Sequence, residues 1–381
     1  MALLTDPPVL SRARLAAWID RPLARLPRPA AILTLLALIA GCIWSISATG
    51  ALIHSADARI EAQQEGQHPG AEGDRGDLSL YRAINARMAR GQGYYEAAIA
   101  EQMARNYPTK PFFTVRSPVL AEGTRLFGSG GWRIVATFSL GLCLVGLMGL
   151  PSERTSAPER IGAALLVALC GLGAFLDIAG LVHELIAGLL LSAALLLYRP
   201  RRWWPSLVLA AAALAVRELA LPFLLLWMAF AIAGRRKGEA LALLGVIALF
   251  AIGMALHAQA VIALGPPDAP SSQGWSGLLG PQAFLEAMVR LTPLSFLPLW
   301  LGTPLALLPL FGWLGLGGRP GLFAALWFAG FALAIALFAR PENFYWGAMV
   351  LPAYGAGLAF VPRAVADLLA AARGVPPRER A

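Results

Sequence analysis

Charge is scarce in this chain. Only 14% of its 381 residues are Asp, Glu, Lys or Arg, against 58% that are hydrophobic, and the mean hydropathy is +0.64. Soluble domains carry roughly a quarter charged residues and about 45–50% apolar ones, so a soluble globular protein is excluded. A disordered chain is excluded too, because disorder needs low hydrophobicity. Cysteine is nearly missing. Cys42, Cys143 and Cys170 each lie inside an apolar run, form no CxxC or Cys/His metal spacing, and read as small packing residues. Absent as well are a GxGxxG turn, a Walker loop, a GxSxG elbow and an HExxH pair.

What is present is apolar runs. They occur at 30–53, 132–150, 161–176, 184–198, 206–216, 219–233, 240–264, 293–316, 321–338 and 345–361. Continuous runs of this kind differ from the alternating segments, about ten residues long, of an outer-membrane barrel. The expected fold class is therefore all-α, a polytopic membrane bundle of about ten spans, some of them short. The pair 206–216 and 219–233 is too short on one arm for a clean crossing. It reads as a hairpin whose tip, Arg217-Glu218, is held within protein or at the membrane surface.

The net charge of +9 is a topology signal rather than a nucleic-acid footprint, because the basic residues sit in short clusters between apolar runs. Eighteen Lys and Arg fall on the side that receives 1–29, 151–160, 199–205, 234–239, 317–320 and 362–381. Apart from the long loop and its border at Arg133, the other side has only Arg217, Arg290 and Arg340. The positive-inside rule then places both termini in the cytoplasm and the loop 54–131 outside, which in a bacterium is the periplasm. The N-terminal charged leader and apolar run are both too long for a typical signal sequence, so an uncleaved anchor is expected despite Ala56-Asp57-Ala58. The expected organisation is a cytoplasmic segment 1–29, a membrane domain 30–361 and a cytoplasmic tail 362–381. No predicted cytoplasmic segment between the termini exceeds about ten residues, which leaves a nucleotide-sugar site nowhere to sit. Chemistry must face the outer leaflet or the bundle interior.

Within the loop, 54–76 is rich in Gly, Gln, Glu and Asp and reads as a tether. Leu78, Tyr81, Ile84 and Met88 then recur at helical spacing, Gly91-Gln92-Gly93 interrupts, and Tyr94, Tyr95, Ile99 and Met103 form a second stripe. Two short amphipathic helices over the outer mouth of the bundle account for both.

The stretch 77–122 reads DLSLYRAINARMARGQGYYEAAIAEQMARNYPTKPFFTVRSPVLAE. Asp77, Tyr81, Met88, Gly91 and Arg116-Ser117-Pro118 fall in an order and spacing that resembles the first periplasmic loop of the GT-C superfamily. These are polytopic membrane glycosyltransferases that use polyprenyl-phosphate sugars. The likeness is to the mannosyltransferase and aminoarabinose transferase branches, although Leu78 stands where one branch has Glu after the Asp. The resemblance implies a polyprenyl-phosphate sugar donor, a lipid-linked, glycan or protein acceptor, and an inner-membrane enzyme with its site toward the periplasm. It implies no cofactor, a divalent metal being open but not indicated.

Elementary chemistry assigns roles on the same residues. A lipid-phosphate leaving group needs cations where charge builds, and an acceptor hydroxyl needs a base. Asp77 is the candidate base; its alternative is a helix N-cap, and Asp57 and Asp74 are fallbacks. Arg116, with Lys110 as a weaker partner, is the candidate phosphate contact; the alternative is a cation snorkelling to headgroups. Tyr81, His183, Glu184, Arg217 and Glu218 are candidate cavity residues, since ionisable groups at such depth are rarely turned to lipid. For Arg217 with Glu218 or Glu184 the competing reading is a structural ion pair, and for His183 and His257 it is packing. Arg340, in Arg340-Pro341-Glu342-Asn343-Phe344-Tyr345-Trp346, is either a phosphate clamp or part of an interfacial aromatic belt. Three other readings compete: a lipid-linked-sugar transporter or flippase, an envelope-polymer ligase or polymerase, and a non-catalytic assembly subunit.

Overall fold

A computed structural model of the protein describes residues 19–65, 76–150 and 155–375. Every regular element among them is helical, and the one strand-like contact is a bridge between Lys110 and Ser271. Helix α1 is Arg28–Glu65, α2 Asp77–Ala89, α3 Tyr94–Ala104, α4 Val119–Met148, α5 Ala157–Cys170, α6 His183–Leu197 and α7 Trp204–Val216. Then come α8 Leu221–Ala233, α9 Lys237–Leu264, α10 Gln282–Leu291, α11 Leu299–Leu316, α12 Gly318–Phe338 and α13 Val361–Ala372, with a 3-10 segment Pro341–Val350 before α13.

Six helical stretches are long and apolar enough to cross a membrane: Arg28–Ile53, Phe112–Met148, Lys237–Leu264, Leu299–Leu316, Gly318–Phe338 and Ala353–Ala372. The ten runs of the sequence thus reduce to six. Four of them fall in α5, α6, α7 and α8, whose 14, 15, 13 and 13 residues are short of the ~20 needed to cross unaided. Burial explains how α6 persists at this length. Nearly every residue of α6 is buried, packed against α4, α7 and Pro341–Val350. By contrast, α1 and α9 turn Leu33, Leu36, Ile43, Leu241, Leu249 and Ile262 outward on the rim, as lipid-facing helices do.

Other boundaries move as well. Helix α1 continues beyond residue 53 to Glu65 rather than giving way to a tether. The segment 362–381, expected to be a tail, is helical to Ala372, and its Ala364, Leu368 and Ala371 pack with Leu23, Ala31 and Phe311. An alanine and leucine stripe at helical spacing gives it a face to bury. Helix α4 is broken at Gly128, whose backbone (φ 75°) is in the region that only glycine adopts without strain. The part after the break begins near Trp132, where the sequence predicts a span.

The predicted surface helices 77–106 are present as α2 and α3. Helix α2 buries Ser79, Leu80, Ile84 and Met88, and α3 buries Tyr94, Ala97, Ala98, Ile99 and Gln102. The helical period is the one read from sequence, and the buried stripe is displaced by a residue in places.

The basic clusters gather at the opposite end from α2 and α3. There Arg21 pairs with Asp367, and Arg363 bonds Glu159 at 2.8 Å. Arg199 caps the carbonyls of Gly146 and Gly149 at 3.0 and 2.9 Å, a favourable place for a cation at a helix C-terminus.

Close helix packing sets the height of α6 against Pro341–Val350. A Cβ on Gly188 would lie 1.9 Å from the Ala348 carbonyl oxygen, a backbone atom that cannot step aside. Gly188→Val should therefore lower stability by about 1–3 kcal/mol, the usual cost of overpacking. Thermal unfolding in detergent measures this. Gly245→Val on lipid-facing α9, where nothing lies within 4 Å, is the control expected to unfold like the parent protein.

Candidate functional site

Gly76 begins the site. Its backbone (φ 121°, ψ 167°) is a conformation essentially reserved for glycine, and it takes the N-cap position of α2. Asp77 is consequently the first residue inside the helix rather than its cap. Its carboxylate faces Tyr345, whose hydroxyl donates to Oδ2 at 3.4 Å, and it lies within electrostatic reach of the Tyr107 phenol. Asn343 supports Tyr345 by donating from Nδ2 to its phenol oxygen at 3.2 Å. Burial and the nearby Asp77 carboxylate push the Tyr107 phenol up to about 12, so it stays a neutral donor at ordinary pH.

One helical turn after Asp77, Tyr81 lies on the same face of α2. Its hydroxyl accepts from Arg116 Nε at 3.2 Å, and its ring meets His183 edge-on with centroids 5.1 Å apart. Burial raises the Tyr81 phenol, Arg116 opposes that shift, and Asp77 and Glu184 add to it. Those interactions place both the carboxylate and the guanidinium within electrostatic reach of one phenol. Tyr345 is a second such group, since Arg116, Glu184, Asp77 and Tyr81 all act on it.

The backbone around Arg116 is held from several directions. Tyr94 of α3 donates to the Arg116 carbonyl at 2.6 Å, and Gln102 donates to Thr114 O at 3.2 Å. His257 of α9 bonds the Val115 carbonyl through Nε2 at 3.0 Å, which makes Nε2 the protonated nitrogen, and Tyr95 contacts its Nδ1 at 3.1 Å. Ser117 donates to the carbonyls of Ala215 and Val216 at 2.9 and 3.2 Å. His257 is thus an anchor of this loop, beyond simple packing. Only one side-chain hydrogen bond of Arg116, from Nε to Tyr81, is present among the described residues. Its terminal nitrogens have no side-chain hydrogen-bond partner among the described residues.

Behind this pair lies a buried charge group. Arg217, 1% exposed, is 2.7 Å from Glu184 through Nε and pairs with Glu218 through Nη1. The hairpin tip is thereby held within protein, and the ion pair involves both acids rather than one. Glu184 and Glu218 also act on Arg116. The site as a whole sets two guanidiniums against three carboxylates.

Two predicted partners stand apart. Lys110 donates from Nζ to the Pro267 carbonyl at 2.5 Å, toward the loop 265–281. Arg340 is 3.3 Å from Glu342 and contacts Gln273 at 3.5 Å. Of the fallback bases, Asp57 lies on the continued backbone of α1, and Asp74 lies outside the described residues. No three His, Cys, Asp or Glu side chains among the described residues converge as metal ligands. A cavity of about 20 Å³ bounded by Tyr81, Asn85, Tyr94, Ser117 and His183 has room for one water, and Asp77 and Arg116 are both partly exposed.

Sequence reasoning missed Tyr107, Asn343 and the link from Tyr345 to Asp77. No local pattern marks them: Tyr107 sits in an Asn-Tyr-Pro turn, and Tyr345 is 268 residues from its partner. Comparison with family models, characterised proteins and solved structures finds no match.

Proposed function

We propose that this protein is a glycosyltransferase of the bacterial inner membrane, with both termini cytoplasmic and its site facing the periplasm. It moves a sugar from a polyprenyl-phosphate donor to an outer-leaflet or periplasmic acceptor. The observation that carries this reading is the placement of Asp77 and Arg116 about the same two phenols, Tyr81 and Tyr345. A carboxylate able to take a proton and a guanidinium with unclaimed donors are the two groups a single displacement at an anomeric carbon requires. The GT-C-like order of Asp77, Tyr81, Gly91 and Arg116-Ser117-Pro118 supports it from sequence.

In the proposed step Asp77 accepts the proton of the acceptor hydroxyl as its oxygen attacks the anomeric carbon. The bond from that carbon to the phosphate oxygen breaks, and its electron pair leaves with the phosphate. Charge therefore grows on the phosphate as the sugar departs, where the free Arg116 nitrogens meet it. The backbone bonds from Tyr94 and His257 fix Arg116 before the donor arrives, so little reorganisation is needed.

Arg116 separates an enzyme from a transporter. A cation that meets growing charge stabilises the transition state more than the bound donor. Arg116→Ala should lower turnover more than it raises the apparent donor constant. Arg116→Lys should recover part of the loss, as a point charge without bidentate geometry. The assay uses protein in detergent with labelled polyprenyl-phosphate sugars and membrane-extract acceptors, where vectorial transport gives no signal. Donor binding without product across a broad panel of sugars and acceptors would favour a flippase instead.

A further inference from the structure

The loop 265–281 is a strap between two parts of the site. On one side Thr109 N donates to Pro270 O at 3.2 Å and Ser272 N donates to Lys110 O at 2.7 Å. On the other, Leu278 and Gly280 donate to the carbonyls of Leu337 and Ala336 at 3.2 and 3.1 Å. Gly277 lies so close to the chain that a Cβ there would be 1.9 Å from Ala339 O. The strap is fixed at both ends, and Trp275 stands at its middle.

Trp275 is 38% exposed although its ring is held on two sides. Phe113 lies 4.9 Å away at 42°, and Trp346 meets it edge-on at 5.9 Å and 88°. A polar fringe adjoins this stack. Arg340 contacts Gln273 at 3.5 Å and Glu342 at 3.3 Å, and Gln273 itself is exposed. The indole N–H of Trp346, buried, has no hydrogen-bond partner among the described residues.

This combination favours one class of ligand. A phosphate approaching Arg340 would also meet the carboxylate of Glu342, so the fringe is a poor anion site. Guanidinium, carboxylate and amide together offer both donors and acceptors, which hydroxyl groups need. A partly exposed indole held in place by its neighbours suits the apolar C–H face of a sugar ring. We infer that Trp275, Gln273, Arg340 and Glu342 form a carbohydrate-binding subsite for an uncharged sugar ring. It adjoins Asp77 and Arg116, because 112–116 and 340–346 contribute to both places. That it serves sugar transfer rests on the transferase reading; that it binds a sugar does not.

Saturation-transfer NMR tests the subsite directly. The full chain is placed in phospholipid nanodiscs, which avoid sugar-headed detergents, and offered methyl glycosides of glucose, mannose and N-acetylglucosamine at millimolar concentration. Saturation of ring protons is expected for at least one glycoside. It should be lost in Trp275→Ala, weakened in Gln273→Ala, partly kept in Trp275→Phe and retained in Asp77→Asn. Absence of saturation for every glycoside, or a full signal in Trp275→Ala, would overturn the subsite. Binding of inorganic phosphate that depends on Arg340 would overturn it too, by making the fringe an anion site. Glycoside binding that needs Trp275 in a protein that transfers no sugar would leave the subsite standing and remove the transferase reading.

Discussion

Asp77→Asn should reduce sugar transfer by roughly two to four orders of magnitude, the range expected when a positioned general base is lost. The substitution is nearly isosteric. Gly76, not Asp77, holds the N-cap position, so α2 does not depend on the carboxylate for its start. The phenol of Tyr345 can donate to the oxygen of an amide as it does to that of a carboxylate. What disappears is the capacity to take a proton. Turnover of labelled donor is the measurement, with the unfolding midpoint as a control expected to stay near that of the parent. Near-full turnover in Asp77→Asn, together with a loss in Asp57→Asn or Asp74→Asn, would move the base elsewhere.

Arg217→Ala should destabilise the fold by about 3–5 kcal/mol, the usual consequence of removing one member of a buried ion pair. The loss does not come from the missing contacts alone. Glu184 is 3% exposed, and without the guanidinium it would keep a buried charge beside the partly exposed Glu218. Replacing Arg217 by Met together with Glu184→Gln and Glu218→Gln removes all three charges at similar volume. That variant should regain most of the lost stability. Unfolding midpoints in detergent report both effects. If Arg217→Ala unfolds like the parent, water reaches Glu184 and its charge is not confined to a dry interior.

Residues far apart in sequence proved easier to choose than to connect. Asp77, Tyr81, Arg116, His183, Glu184, Arg217 and Glu218 stand out because polar side chains are costly amid so many apolar ones. The structure gathers these at one end of the bundle. Which of them touch was not legible: Arg217 binding both Glu184 and Glu218 follows from how α6 meets the α7–α8 hairpin. Tyr345 shows the limit most plainly. In an aromatic stretch beside Arg340 it resembles an interfacial anchor, and its hydroxyl's contact with Asp77 depends on Pro341–Val350 packing over α6.

The same limit governs the spans. Hydrophobic runs marked helices reliably because burial in lipid or in protein demands the same apolar residues. They did not mark length, since α5 to α8 are as apolar as full spans and stop sooner. Around α1 and α13 the sequence erred in the other direction. Modest hydropathy after residue 53 and after residue 361 looked like loop and tail, while helix continues in both places.

The bond between Tyr345 and Asp77 also bears on the order of events at the ribosome. Asp77 is made 268 residues before the phenol that contacts it. Arg217 comes between, and Asn343 arrives only with Tyr345. A nascent chain that has emerged as far as α12 already carries its carboxylate and its guanidiniums, yet it lacks the phenol that contacts Asp77. The contact is thus withheld until residue 345 has been made, and a chain aborted before it leaves Asp77 without this partner.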